Sequence, residues 1–198
     1  MKTGILCILL LVFTSCTLMQ KKVDSEAINS APGFEYKYPK TGEWIFGNTE
    51  PGNIIIGKKT EGDLTSILAS AKYGPIGLTN SEMSELKKTG KLKAHSESEI
   101  ISSFKTNLEN DAKQGRVKNI KSTYEEKKYD NGSCLIFSQT GEDNGTLPIS
   151  NNGKWCFNKK TYSYIMLNIS ARGPEGKQLP NLTAEKNEFF SSLVFTEK

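Results

Sequence analysis

The stretch around Asn131-Gly132 constrains the fold of this 198-residue chain more than any other part of it. Two segments with strand character, 117–129 and 133–139, flank the short turn Asp130-Asn131-Gly132. Asn-Gly is a strong hairpin signal, because both residues tolerate the positive φ angles of a tight type I′ turn. The two segments are therefore predicted to pair antiparallel, which makes an antiparallel sheet the basis of the fold.

Five other segments have strand character. Segments 43–46 and 53–56 are short apolar runs separated by Gly and Pro turn residues. Segment 65–73 fits either a helix capped by Asp63 or a strand, and its alternating apolar residues favour the strand. Segments 154–157 and 161–171 flank a short polar connection and predict a second hairpin.

The segment 161–171 is apolar on both of its faces. One face carries Ser163, Ile165, Leu167 and Ile169, and the other carries Tyr162, Tyr164 and Met166. A strand that is apolar on both sides is usually central in its sheet and covered above and below. The functional alternative is that Tyr162, Tyr164 and Met166 line a groove for a hydrophobic ligand.

Two helices are predicted. Segment 98–114 carries an apolar stripe at helical spacing, with Ser96 or Ser98 as its cap and Gly115 after its end. Segment 183–193 is the second helix, capped by Thr183 or Asn181. The polar segments 79–95 and 141–153 are predicted as loops, the first with one helical turn. This mixed order predicts an α+β fold, with a mostly antiparallel sheet flanked by helices.

The first sixteen residues have the three-part layout of a secretory signal. Lys2 is followed by about ten apolar residues and then by small residues before Cys16. The apolar run is too short to cross a bilayer, which needs about twenty residues. The sequence therefore predicts export.

Phe13-Thr14-Ser15-Cys16 resembles a bacterial lipobox. The resemblance implies cleavage before Cys16 and attachment of acyl chains to its thiol and amine. Thr17 stands where an Asp would resemble an inner-membrane retention signal, so the outer membrane is favoured. The alternative is an ordinary secreted protein, and four Asn-x-Ser/Thr sites (Asn131, Asn144, Asn168, Asn181) are its best support.

The predicted organisation has three parts: a signal peptide (1–15), a lipidated Cys16 with a flexible tether (16–40), and one globular domain (41–198). The tether prediction rests on the scarcity of apolar residues after Thr17. The alternating aromatic residues Phe34, Tyr36 and Tyr38 lie in its last part, which is expected to dock on the domain.

Two cysteines, Cys134 and Cys156, remain for the folded domain once Cys7 leaves with the signal and Cys16 carries lipid. An even number of thiols in an exported chain predicts a disulfide. Closing a loop of about twenty residues stabilises a protein by about 3 kcal/mol in the chain-entropy model. The alternative is two separate buried thiols.

Charge and residue counts argue against several classes of protein. The net charge of +4 is too small to indicate a nucleic-acid partner. His95 is the single histidine, it lies in a polar segment, and it is expected to be solvated. The Cys spacing matches no zinc site. We predict no enzyme, no metal and no cofactor, since the acidic pairs Glu125-Glu126 and Glu142-Asp143 put neighbouring carboxylates on opposite sides of a strand or in a loop.

The order of elements resembles the Mog1/PsbP-like domains. The resemblance rests on Gly42-Glu43-Trp44 at the first strand and on the closing helix and strand at 187–195. It implies an antiparallel sheet between helices, in an α/β/α sandwich, and a non-catalytic module that binds a partner or assists assembly. The leading hypothesis is thus a membrane-anchored accessory module for another envelope protein, and the alternative is a lipoprotein that binds a small hydrophobic ligand.

Overall fold

The computed structural model describes residues 21–58, 60, 65–77, 84–85, 88–89, 95–114 and 117–197. The predicted signal peptide, Cys16 and residues 17–20 lie outside the described residues, as does Asp63. Most of the predicted loop 79–95 also lies outside them. Within that loop, residues 84–85 and 88–89 are described and helical.

The described residues form a large sheet, a small sheet and two helices. The elements in chain order are β1 (Asn29–Ala31), β2 (Phe34–Tyr36), β3 (Trp44–Glu50), β4 (Asn53–Lys58), β5 (Ser66–Pro75), α1 (Glu97–Gln114), β6 (Val117–Tyr129), β7 (Gly132–Asp143), β8 (Leu147–Asn158), β9 (Ser163–Arg172), α2 (Thr183–Ser191) and β10 (Val194–Phe195). The large sheet has the order β3-β4-β5-β9-β8-β7-β6, and all its neighbouring strands are antiparallel. The α+β prediction is confirmed at this level.

The strand β9 occupies the centre of the large sheet, as its two-sided apolar pattern predicts. It lies between β5 and β8, and its residues alternate between buried and half-buried. The segment 65–73 is confirmed as a strand, β5, because it pairs along its whole length with β9.

The hairpin of β6 and β7 is confirmed, but its turn differs from the predicted one. Tyr129 pairs with Gly132 across Asp130 and Asn131. Among residues 130–132 only Gly132 has a positive φ, 157°, so the turn is not type I′. A Cβ at Gly132 would lie 1.9 Å from the carbonyl oxygen of Phe157, and this close approach is what requires glycine.

The prediction that residues 141–153 form a polar loop is wrong. The strand β7 continues to Asp143 and β8 begins at Leu147, so only residues 144–146 form a turn. Asn144 and Gly145 have φ angles of 52° and 82°, which are the positive values that Asn-Gly tolerates. The polar residues after this turn form strand because their side chains bond across neighbouring strands.

The predicted flexible tether is also wrong for its described part, residues 21–40. Lys22 bridges to Ile45, and β1 and β2 form a three-stranded sheet with β10 in the order β1-β2-β10. The side chains of Phe34, Tyr36 and Tyr38 are 0–2% exposed. Burial of this much aromatic surface outweighs the polar composition of the segment.

The two faces of the large sheet are covered differently. The helix α1 packs on one face, over β6, β7 and β8. The other face is covered by both α2 and the small sheet, whose buried side chains pack with those of β5 and β9. The second face therefore carries a mixed layer of helix and strand, which differs from a plain α/β/α sandwich.

The predicted disulfide is confirmed. Cys134 of β7 and Cys156 of β8 lie directly opposite each other, are fully buried, and are joined by a disulfide. The bond links two neighbouring strands of the large sheet, of which β7 lies next to the edge strand β6.

Candidate functional site

A groove runs between α1 and the face of the large sheet that this helix covers. Its volume is about 390 Å³. The floor comes from β8 and β9, one wall comes from α1, and the other rim comes from β5 and the two residues after it. The described residues that line it are Lys72, Ile76, Gly77, His95, Glu99, Ile100, Ser103, Phe104, Asn107, Trp155, Tyr164 and Met166.

The position of α1 over the sheet follows from its apolar stripe. Ile100 and Ile101 are buried with Leu135, Trp155 and Phe157. Phe104 and Leu108 continue the same stripe and pack against this cluster. The helix is therefore held by one face, and its flank forms the wall of the groove.

The start of α1 is fixed by a capping box. The Glu99 amide donates to Oγ of Ser96 at 3.3 Å, and the Ser96 amide donates to Oε2 of Glu99 at 2.8 Å. These reciprocal bonds satisfy backbone groups that the first helical turn leaves free. In the same first turn, Oγ of Ser133 on the sheet donates to the carboxylate of Glu97. The wall of the groove is thus anchored at its first turn.

Three aromatic rings build the apolar interior of the groove. Phe104 stacks on Trp155, with ring centroids 4.4 Å apart and planes 12° apart. Tyr164 lies beside Trp155, with centroids 6.2 Å apart and an interplanar angle of 20°. This arrangement gives the groove an apolar lining against which an apolar side chain can pack.

Two of the three residues predicted to line a ligand groove lie in it. Tyr164 and Met166 form part of the floor. Tyr162 does not line the groove, because it lies in the turn before β9 with a φ of 53° and packs edge-on against Phe157 at 5.4 Å. Residues from α1 and β8, above all Phe104 and Trp155, complete the site.

The rim of the groove is polar. His95 is half-exposed there, and its Nδ1 lies 3.9 Å from Oε2 of Glu99. Lys72, Ser103 and Asn107 complete the polar rim. A site with an apolar interior and a few polar groups at its edge is typical of binding pockets.

A ladder of polar side chains crosses four strands on the same sheet face as the groove. Asn168 Nδ2 donates to Oδ1 of Asn151 at 2.7 Å, and Asn151 Nδ2 donates to Oε1 of Gln139 at 3.2 Å. Gln139 Nε2 donates to Oγ of Ser122 at 3.4 Å. We call these four residues the amide ladder. It lies beyond the apolar floor, because Asn168 follows Met166 by two positions on β9.

Comparison with known proteins finds matches among solved structures. No protein-family model and no curated protein matches the chain. The chain is similar to the solution structure of cyanobacterial PsbP (CyanoP) from Synechocystis sp. PCC 6803, with 15% sequence identity and a TM-score of 0.45. The match covers 86% of this chain and 92% of that chain. At this identity and score, the likeness assigns neither a function nor a ligand.

The buried carboxylates lie away from the groove and are paired with cations. Asp143 is fully buried, and its Oδ2 lies 3.0 Å from Nε of Arg172. Glu185 of α2 is 4% exposed and forms an ion pair with Lys58. Such pairing offsets the cost of burying charge. Both carboxylates therefore have a structural role.

The acidic residues Glu125 and Glu142 make polar contacts within the sheet. Glu142 accepts a bond from the amide of Asn119 at 2.8 Å, and Glu125 pairs with Lys127 at 3.2 Å. Glu125 is exposed on β6, and Glu142 is half-buried near the end of β7. In the described residues, no group of three or more His, Cys, Asp or Glu is placed to hold a metal ion.

Lys154 is a buried amine on the sheet face opposite the groove. Its Nζ donates to the carbonyl oxygen of Phe190 at 2.8 Å and lies 5.8 Å from the centroid of the Tyr129 ring. Burial, and to a smaller extent the charge of Lys127, lowers the pKa of Lys154 to about 8. The accepting carbonyl belongs to the last turn of α2, where a cation is favoured. Lys154 thus ties β8 to α2.

Neither described helix is both long enough and apolar enough to span a bilayer.

Proposed function

We propose that this chain is an exported, lipid-anchored binding module without catalytic activity, and that its groove holds an apolar group of another envelope protein. The observation that supports this most is the groove itself. It combines three packed aromatic rings with a polar rim in one site. Its volume lies in the range of about 300–1,000 Å³ that is usual for ligand sites.

A small hydrophobic ligand is the second candidate for the same groove. Tyr164 and Met166, two of the three residues that predicted such a ligand, lie in the floor. A native mass spectrum of the purified protein separates the two candidates. A co-purified small molecule would favour the ligand, and a co-purified polypeptide would favour the partner protein.

Filling the groove is expected to abolish binding of an apolar probe. Ser103 is exposed on α1 and lines the groove, so the indole of Ser103→Trp would occupy it. We expect the affinity for N-phenyl-1-naphthylamine, measured by fluorescence titration, to fall at least about tenfold, because the probe loses its apolar contacts.

The matched control is Ser102→Trp. Ser102 is the exposed neighbour on the same helix and does not line the groove. Its affinity for the probe is expected to stay within about twofold of the parent. Equal affinity in both variants, or no probe binding by the parent, would refute the groove as a binding site.

The lipid anchor is tested at Cys16. We expect Cys16→Ala to move the protein from the membrane fraction to the soluble fraction, because two or more acyl chains are needed for firm anchoring. Cys7→Ala, in the same leader, is the control and should leave the protein in the membrane fraction. Immunoblots of separated fractions give the readout, and membrane retention of Cys16→Ala would refute lipidation there.

A further inference from the structure

The amide ladder continues the floor of the groove. Residues two apart on a strand point to the same face and are about 7 Å apart. Asn168 stands in this relation to Met166, whose side chain lines the groove. Gly153 lies between Asn151 and Trp155 on this face of β8, and the ring of Phe137 from β7 lies over it. A Cβ at Gly153 would clash with this ring at a distance of 2.1 Å. Phe137 is itself only 2% exposed, so the accessible floor continues into the amides along β9, from Met166 to Asn168.

We infer that the groove and the amide ladder form one elongated site for an extended peptide segment of a partner protein. An apolar side chain of the peptide enters the groove, and the neighbouring main chain pairs with the amides of Asn151 and Asn168. The inference rests on the proposed function and names the chemistry of the partner.

The chemistry of the ladder matches a peptide main chain. A side-chain amide has two N–H donors and an oxygen with two lone pairs. Within the ladder, Asn151 donates one bond and accepts one, and Asn168 donates one. Each amide keeps hydrogen-bonding capacity beyond these bonds. One planar group with both a donor and an acceptor fits the N–H and C=O that an extended peptide presents.

The charges of the site favour a neutral ligand over its floor. The side chains of the floor and of the ladder are neutral. The charged lining residues Lys72 and Glu99 belong to β5 and α1, at the rim. A main chain is neutral along its length, whereas a phosphate or carboxylate ligand would need a cation beneath it.

The aromatic packing favours a peptide side chain over a sugar ring. Sugars are held on open aromatic faces, but Phe104 already stacks on Trp155, which is 4% exposed. What remains is a slot between α1 and Tyr164, with Met166 at its base. An aliphatic or aromatic side chain fits such a slot.

The test is a selection with the full-length lipidated protein in detergent. A library of random decapeptides is captured on the protein and the bound peptides are sequenced by mass spectrometry, and a glycan array is probed in parallel. We expect enrichment of peptides that share one apolar anchor residue. For a selected peptide, we expect Asn151→Ala and Ser103→Trp each to weaken affinity by about tenfold.

Two matched variants act as controls. Asn152→Ala removes the neighbouring amide on β8, which points to the opposite face and bonds to Ser138, and Ser102→Trp leaves the groove open. Both should bind the selected peptide as the parent does. Asn168→Ala replaces Asn151→Ala if the latter melts at a lower temperature than Asn152→Ala.

The outcomes separate this inference from the proposed function. Glycan binding without peptide enrichment, or peptide binding that is insensitive to both Asn151→Ala and Asn168→Ala, would overturn the peptide site. If Ser103→Trp still weakened the binding of N-phenyl-1-naphthylamine, the groove would stand as a site for small apolar ligands. If Ser103→Trp left the affinity for this probe unchanged as well, both the peptide site and the proposed function of the groove would be overturned.

Discussion

Phe34→Ala is expected to lower the free energy of unfolding by about 3–5 kcal/mol, the usual cost of deleting a fully buried phenylalanine ring. Phe34 is 0% exposed and lies in β2, between β1 and β10. Its ring contacts that of Phe195, with centroids 5.1 Å apart. For a domain of this size, the change corresponds to a fall in melting temperature of about 10 °C, which a thermal melt followed by circular dichroism measures.

Ile28→Ala is the control for this prediction. Ile28 comes from the same segment but is 61% exposed, so its truncation should change the free energy of unfolding by less than about 0.5 kcal/mol. If residues 21–40 were a flexible tether, Phe34→Ala and Ile28→Ala would have the same melting temperature. Equal melting temperatures would therefore reject the packing of β1 and β2 on the domain.

The tether was mispredicted because composition is averaged over a window, whereas packing depends on single side chains. Polar residues dominate 17–40, so the average composition does not show how much apolar surface Phe34, Tyr36 and Tyr38 can bury. Their partners are far away in sequence: Tyr38 packs on Phe189, with centroids 6.0 Å apart, and Phe34 on Phe195. The alternation of the three aromatic residues indicates that this part docks on the domain, but no local pattern identifies the residues on which it docks.

The loop 141–153 was mispredicted for a related reason. Ser150, Asn151 and Asn152 have low strand propensity. They form strand because their side chains bond to neighbours on other strands, for instance Asn151 to Gln139 and Asn152 to Ser138. The local signal that was missed is Asn144-Gly145, whose positive φ angles mark a hairpin turn.

Elements with strong local signals were predicted well. The helix α1 follows from its apolar stripe, and β9 follows from its two apolar faces. The groove was found only in part, because a strand pattern shows that Tyr164 and Met166 share a face but not which helix covers them. The pairing of α1 with β8, which brings Phe104 onto Trp155, is a tertiary contact.

Asn158→Ala is expected to lower the free energy of unfolding by about 3–4 kcal/mol. The substitution removes the hydrogen bonds of several main-chain groups, and each such bond is worth about 1 kcal/mol or more when the group is buried. Asn158 is fully buried at the end of β8. Its Nδ2 donates to the carbonyl oxygens of Gly33 and Thr196, at 2.7 and 2.9 Å. Its Oδ1 accepts from the amides of Lys160 and Thr161, at 2.9 and 3.3 Å.

These four bonds join the end of β8 and the turn that follows it to two parts of the chain that are distant in sequence, the turn before β2 and the residues after β10. Asn158→Ala should therefore unfold at a lower urea concentration with an unchanged m-value. Asn152→Ala, on the same strand, is the control and should cost about 1 kcal/mol, because its amide lies in a half-buried polar row. A similar small cost for both variants would show that the small sheet is held by apolar contacts alone, since water would then satisfy the groups that Asn158 now bonds.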